Sequence, residues 1–294
     1  MCDEFTEAEA AVALERASVD RGGISRRQFA AMSAAVAMVA CAKPSDGKTA
    51  ALNESTVHLQ TPDGMADAFF VHPARGKHPG VIFWPDIGGL REVFYGMGRR
   101  LAAAGYAVLV VNQYYRNAPA PVLSSFAEWR TPAGQAKLAP MIAGVTSAGV
   151  ARDAAAFVTW LDAQTAVDKR KGIGSQGYCM GGPFAIRTAA AAPARVRAAA
   201  SFHGAGLVGT VADSPHQLLA HTQANFLIAI AQGDDARAPG DKDALRAAAD
   251  AAKRPAEIEV YPANHGWCVA DTPIYDAAQA ERAWGRLLAL YQRL

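Results

Sequence analysis

Charge is scarce in this chain. Asp, Glu, Lys and Arg together supply 19% of its 294 residues and leave a net charge of only +2. That balance offers no basic stripe of the kind that neutralises phosphates, so nucleic acid is not an expected partner. Cysteine is scarcer still: there are four, of which Cys2 and Cys41 lie in a leader-like N-terminal region. The remaining two, Cys179 and Cys268, are too few for a disulfide framework. H-E-x-x-H, C-x-x-C and a G-x-G-x-x-G placed after a strand are also missing, so neither a metal ion nor a nucleotide cofactor is expected.

What the chain does have is 51% hydrophobic residues, enough for one large core. They fall into short apolar runs that alternate with helical patterns. Val57 to Gln60 and Ala66 to Val71 flank the turn signal Thr61-Pro62-Asp63-Gly64 and read as a hairpin. Val81 to Trp84, Tyr106 to Asn112, Asn225 to Ile230 and Glu257 to Tyr261 read as strands. Helical patterns cover Glu92 to Ala104, Val145 to Leu161, Phe184 to Ala192, Asp241 to Ala252 and Tyr275 to Leu294. Strands alternating with helices imply an α/β fold with a mostly parallel central sheet and helices on both faces. Tyr114 to Pro140 breaks the rhythm with prolines, glycine and aromatics, which suits a cap over a site.

The segment Gly177-Tyr178-Cys179-Met180-Gly181-Gly182 has the G-x-nucleophile-x-G pattern of a strand-to-helix elbow, with cysteine as the nucleophile. Gly177 and Gly181 let strand and helix approach, and the sulfur falls at a helix N-terminus, where orphan N–H groups favour a thiolate. Such an elbow takes its partners in the order nucleophile, acid, histidine. Downstream, the run Asn225 to Ile230 leads into Gln232-Gly233-Asp234-Asp235, which puts an acid at the carboxyl edge of the sheet. The run Glu257 to Tyr261 leads into Pro262-Ala263-Asn264-His265, which puts a histidine at the same edge, where open α/β sheets bind ligands. His203 also follows a strand, but it precedes the acid in sequence and is assigned to the pocket lining.

With these segments in view, the chain resembles the dienelactone hydrolase family of the α/β-hydrolase fold. The resemblance is carried by VIFWPDIGG at Val81 to Gly89, by GYCMGG, by GDDAR at Gly233 to Arg237 and by the tail YPANHGWCVADTPIYD. It implies Cys179 as nucleophile, His265 as general base and Asp235 as the acid that orients it. It also implies an oxyanion hole from the backbone N–H groups of Ile87 and Met180. The substrate would be a small ester or lactone, cleaved through a thioester without a cofactor. The weak strand Ile173 to Gln176, glycine-containing and polar, rests on this resemblance rather than on propensity.

Two positions depart from the family pattern. Asp86 stands where the family has a glutamate facing the resting cysteine, and no arginine follows His265 to hold a substrate carboxylate. Arg91, Arg116 and Arg130 are the candidate replacements for that clamp. Asp86, Tyr115, His203 and Trp267 are assigned to the substrate pocket, and Cys268 to a small packed position. A non-catalytic ligand- or partner-binding protein of the same fold is the alternative reading.

The N-terminus carries a separate expectation. Ser25-Arg26-Arg27-Gln28-Phe29 precedes the uncharged run Ala30 to Ala42, which reads as a twin-arginine signal and is short of the about 20 apolar residues that span a bilayer. Residues 1–42 are thus expected to be a leader recognised by the twin-arginine export machinery, 43–56 a linker and 57–294 the folded domain, in the periplasm or another extracytoplasmic space. Val39-Ala40-Cys41 resembles a lipoprotein processing box, so Cys41 is a candidate lipid anchor and the only expected tie to a membrane. Sequence leaves the oligomeric state open.

Overall fold

A computed structural model describes residues 51–294. The twin-arginine segment and Cys41 lie outside the described residues. Eight strands form one sheet in the order β1-β2-β4-β3-β5-β6-β7-β8. The first two, β1 (Leu52–Thr61) and β2 (Gly64–Pro73), pair antiparallel as the expected hairpin. Strand β1 begins at Leu52, inside the segment expected to be linker, because Leu52 to Thr56 find partners in Phe69 to Pro73. After β2 joins β4 antiparallel, every further pairing is parallel: β3 (Gly80–Trp84) with β4 (Ala107–Val111) and β5 (Ile173–Tyr178), then β6 (Val196–Phe202), β7 (Asn225–Ala231) and β8 (Ala256–Tyr261).

The helices are α1 (Glu92–Ala103), α2 (Phe126–Trp129), α3 (Pro132–Gly144), α4 (Ser147–Ala163), α5 (Gly181–Ala191), α6 (Pro215–Leu218), α7 (Gln232–Arg237), α8 (Asp241–Ala251) and α9 (Ala277–Tyr291). Two clusters of buried apolar side chains sandwich the sheet. One joins α4, α5 and α8 to one face through residues such as Phe157, Ile186 and Leu245, and the other joins α1 and α9 to the opposite face through Phe94, Leu101 and Leu287. The fully apolar strands β3 and β4 are buried along their whole length, as strands covered on both faces must be.

Strand β5 forms despite its poor propensity because tertiary packing needs its small residues. A Cβ at Gly174 would stand 2.8 Å from the ring of Tyr291, and one at Gly177 would stand 1.9 Å from the carbonyl oxygen of Gly181. Its polar residues are also provided for. Gln176 accepts from the Tyr291 hydroxyl at 3.1 Å, inside the core.

The region expected to be an irregular cap contains two helices. Thr131 caps α3 by accepting from the Gly134 amide at 3.0 Å, and Pro132 occupies the first turn. This cap has its own apolar cluster, in which Val122, Leu123 and Leu138 bury Tyr114 and partly cover Met180 beside the elbow.

Candidate active site

The parallel strands bring six connections to one edge of the sheet. These follow β3 (Asp86, Ile87), β4 (Tyr114, Tyr115), β5 (Cys179), β6 (His203), β7 (Asp234, Asp235, in α7) and β8 (His265). Cys179 has φ +51°, the left-handed conformation of a strained turn, and its N–H donates to Phe202 O at 3.0 Å. Helix α5 starts two residues later. Gly181 is required here, since a Cβ would stand 2.5 Å from the carbonyl oxygens of Trp84 and Pro85.

His265 lies between the thiol of Cys179 and a carboxylate. Its Nδ1 is 2.8 Å from Asp234 Oδ2, which leaves Nε2 for the side of the Cys179 sulfur. Burial alone would lower the imidazole's pKa, but attraction to the Cys179 sulfur and the bonds to Asp234 and Cys179 outweigh it, holding His265 well above its ordinary value. The loops are tied by backbone as well: Gln232 N–H donates to Ala263 O at 3.0 Å, and Gln232 Nε2 donates to Asn264 Oδ1 at 2.9 Å.

The carboxylate on His265 is therefore Asp234 and not Asp235, the residue picked out by the family pattern. Successive residues of α7 project about 100° apart. Asp235 consequently turns to α8, where both its oxygens accept from Lys242 Nζ, at 2.7 and 2.9 Å. The second oxygen of Asp234 accepts from Arg237, so the carboxylate is held from both sides.

Asp86 does not face the thiol. It forms a buried bidentate pair with Arg91, at 2.6 and 2.9 Å, and its Oδ1 also accepts from Gly88 N–H at 2.8 Å. Arg91, only 1% exposed, donates in addition to both oxygens of Asp271, at 2.7 and 2.9 Å, and to Gly89 O at 3.1 Å. All five guanidinium N–H groups are engaged. Because Asp271 Oδ2 also accepts from Phe126 N–H at 3.2 Å, this one arginine joins the loop after β3, the loop after β8 and the cap. Arg91 is accordingly a clasp, not a carboxylate clamp. Arg116 is likewise paired with Asp63 and Asp153, and Arg130 is exposed at the end of α2.

Tyr115 and Trp267 are packing residues in place of pocket wall. The Tyr115 hydroxyl is 2.7 Å from both Asp153 Oδ1 and Thr61 Oγ1, with Arg116 stacked over the ring. Trp267 is fully buried, stacked on Tyr261 with ring centroids 5.2 Å apart. His203, by contrast, does reach the site: its Nδ1 accepts from the Cys179 N–H at 3.1 Å, and its ring stands edge-on to His265.

Sequence reasoning missed Tyr114. Its hydroxyl donates to Ile87 O at 2.8 Å and contacts Met180 Sδ at 3.4 Å, bridging the two residues whose N–H groups were singled out as oxyanion donors. Burial, followed by the charges of Asp86 and Cys179, raises its pKa far above that of an ordinary phenol, so it stays a donor. The adjacent pair Tyr114-Tyr115 gave no sign of which ring would point to the elbow.

Among the described residues no group of three His, Cys, Asp or Glu side chains is placed to hold a metal ion. Cys179 and Cys268 are both free thiols. A cavity of about 340 Å³ borders the back of the site between α1 and α9, lined by Tyr178, Phe202, Cys268 and Trp284 among others. Cys179 does not line it.

The profile of the dienelactone hydrolase family matches residues 66–294. A Methylorubrum extorquens protein, provisionally named a carboxymethylenebutenolidase, is 26% identical over 276 residues, spanning 90% of this chain and 91% of its own. A Klebsiella pneumoniae crystal structure, provisionally titled a dienelactone hydrolase, superposes with a TM-score of 0.70 at 25% identity, covering 83% of this chain and all (100%) of its own. The metagenomic dienelactone hydrolase-like promiscuous phosphotriesterase P91 shares the fold, with a TM-score of 0.68 at 23% identity over 83% of this chain and 99% of its own.

Proposed function

The chain belongs to the dienelactone hydrolase family of ester and lactone hydrolases, and on that premise we propose that it cleaves a small ester or lactone through Cys179, His265 and Asp234. The observation that carries this reading is the placement of His265 between the Cys179 thiol and the Asp234 carboxylate. The Cys179 thiol gives its proton to His265 and the thiolate sulfur attacks the carbonyl carbon, whose oxygen becomes an oxyanion that accepts from the N–H groups of Ile87 and Met180. The tetrahedral adduct collapses to a thioester, and the leaving alkoxide takes its proton from the His265 imidazolium. Water then attacks the thioester carbonyl while His265 takes its proton. Collapse of this second adduct frees the acid and restores the sulfur.

Asp234 accepts the Nδ1 proton throughout, which fixes the tautomer and stabilises the imidazolium. The phenol of Tyr114 holds Ile87 by its carbonyl, so the oxyanion loop is set before substrate arrives. The test is hydrolysis of a panel of 4-nitrophenyl esters and a dienelactone by the enzyme beside Cys179→Ala under reducing conditions. Turnover confined to the parent supports the reading, and equal background in both refutes it.

Export belongs to the same proposal: the leader directs the enzyme through the twin-arginine route to the periplasm, with Cys41 as its lipid-bearing residue. Fractionation of cells expressing the Arg26→Lys/Arg27→Lys and Cys41→Ala variants checks it. Unchanged location and unchanged detergent partitioning would remove both parts.

A further inference from the structure

Three non-glycine residues among those described adopt positive φ, and two of them are bonded to each other. Cys179 has φ +51° and His203 has φ +40°, and the N–H of the first donates to Nδ1 of the second at 3.1 Å. Non-glycine residues held in this region carry strain that the surroundings must over-determine. For His203 the restraint is its own N–H, which donates to Ala229 O at 2.8 Å, and a side chain only 1% exposed. The ring is enclosed by Tyr178 from β5, at 6.0 Å between centroids, and by His265 and Trp267 from the loop after β8, each at 5.0 Å.

We propose that His203 is a positioning residue for the thiol: a ring kept neutral, whose Nδ1 holds the strained main chain of the nucleophile while its edge packs beneath the base His265. The proposal rests on the hydrolase reading of the site. The amide of Cys179 is a donor, so Nδ1 must be an acceptor and the ring proton must sit on Nε2. A doubly protonated ring would set N–H against N–H at the elbow, and would place a second cation beside the imidazolium that catalysis requires. Burial first, and then the charge of His265, push His203 well below the ordinary histidine range, in keeping with a ring that stays neutral. The same Cys179 N–H also reaches Phe202 O at 3.0 Å, so Phe202 and His203 share it in a three-centre bond that leaves the turn little freedom.

The test separates the acceptor from the ring. In a Cys268→Ser background, His203→Asn keeps an acceptor oxygen close to the Nδ1 position, whereas His203→Gly loses it; both residues tolerate positive φ. A third variant, His203→Gln, keeps the amide but moves the acceptor one bond outward, and stands in for the glycine variant if that fails to fold. The readouts are the rate of Cys179 alkylation by iodoacetamide across pH, and kcat and KM for 4-nitrophenyl acetate per folded molecule.

The asparagine variant should stay within about 3-fold of its parent, while the glycine and glutamine variants should lose on the order of 10–100-fold in kcat and in alkylation rate with little change in KM. Equal kcat and equal alkylation profiles in all variants, with only Tm lowered, would show His203 to be packing alone and would overturn the proposal. Absence of Cys179-dependent turnover in the parent would instead sink the hydrolase reading, and the alkylation series would still decide the role of His203.

Discussion

Asp234 Oδ2 stands 2.8 Å from Nδ1 of His265, while the adjacent Asp235 turns its carboxylate onto Lys242. One peptide unit separates a carboxylate on the imidazole, the acid of the proposed triad, from one that pins α7 to α8. Asp234→Asn should cut kcat by roughly 10²–10⁴-fold, in line with other triads that lose the correct tautomer. Asp235→Asn should leave kcat within about 3-fold, because it breaks only a partly exposed ion pair. Steady-state kinetics on one neutral ester distinguishes the two, and the reverse ranking would move the acid back to Asp235.

Arg91 is closed to substrate, since two carboxylates and a carbonyl take every donor it has. An anionic ester should therefore gain no advantage from it in kcat/KM over a neutral ester of the same acyl group. Raising ionic strength from about 0.05 to 0.5 M should change that ratio by less than about 2-fold. A strong, salt-sensitive preference for the anion would show that a cation does reach the pocket.

The phenol of Tyr114 holds the loop after β3, the proposed oxyanion loop, through Ile87 O. Tyr114→Phe removes one partly buried hydrogen bond, at a cost of about 1 kcal/mol in stability. The larger effect should fall on kcat, by about 10-fold with KM unchanged, because the loop's N–H matters most when charge develops on the carbonyl oxygen. Urea unfolding alongside kinetics separates the two effects.

His265 predicts a sign for the pH dependence of stability. Its pKa is raised in the folded protein, where the Cys179 and Asp234 contacts win over burial. The stabilisation is therefore complete below the unfolded-state value of about 6.5 and is lost as pH climbs through the raised value. The Tm gap between the parent and His265→Asn should be widest near about pH 6 and should narrow above about 6.5. His203 works in the opposite direction, its depressed pKa costing stability as pH falls below about 6.5, so the comparison must be made against the His265 variant. A gap that widens with pH would contradict the assignment.

The sequence made the alternation of strands and helices, the elbow at Cys179 and the loop position of His265 readable, because each depends on local pattern: apolar runs, paired glycines and a histidine just past a strand. It could not separate Asp234 from Asp235, since identical neighbours differ only by their rotation about α7 and by where Lys242 of the next helix falls. Nor could it show that Asp86 is taken, because its arginine is fixed from Asp271, a residue 180 positions further along the chain. The cap helix α3 was hidden by Pro140, although Thr131 followed by Pro132 was a readable start. Tyr115 and Trp267 were assigned to the pocket from aromaticity, which does not say which side of a loop a ring will take.

The contacts around Gly177 and Gly181, where an added carbon would meet backbone at 1.9 and 2.5 Å, make the elbow a mould with no slack. Such a mould dictates where residue 179 presents its reactive atom but not which element that atom is. Changes in chemistry at this site are thus confined to exchanging sulfur for oxygen in place, or to rebuilding the walls that face it.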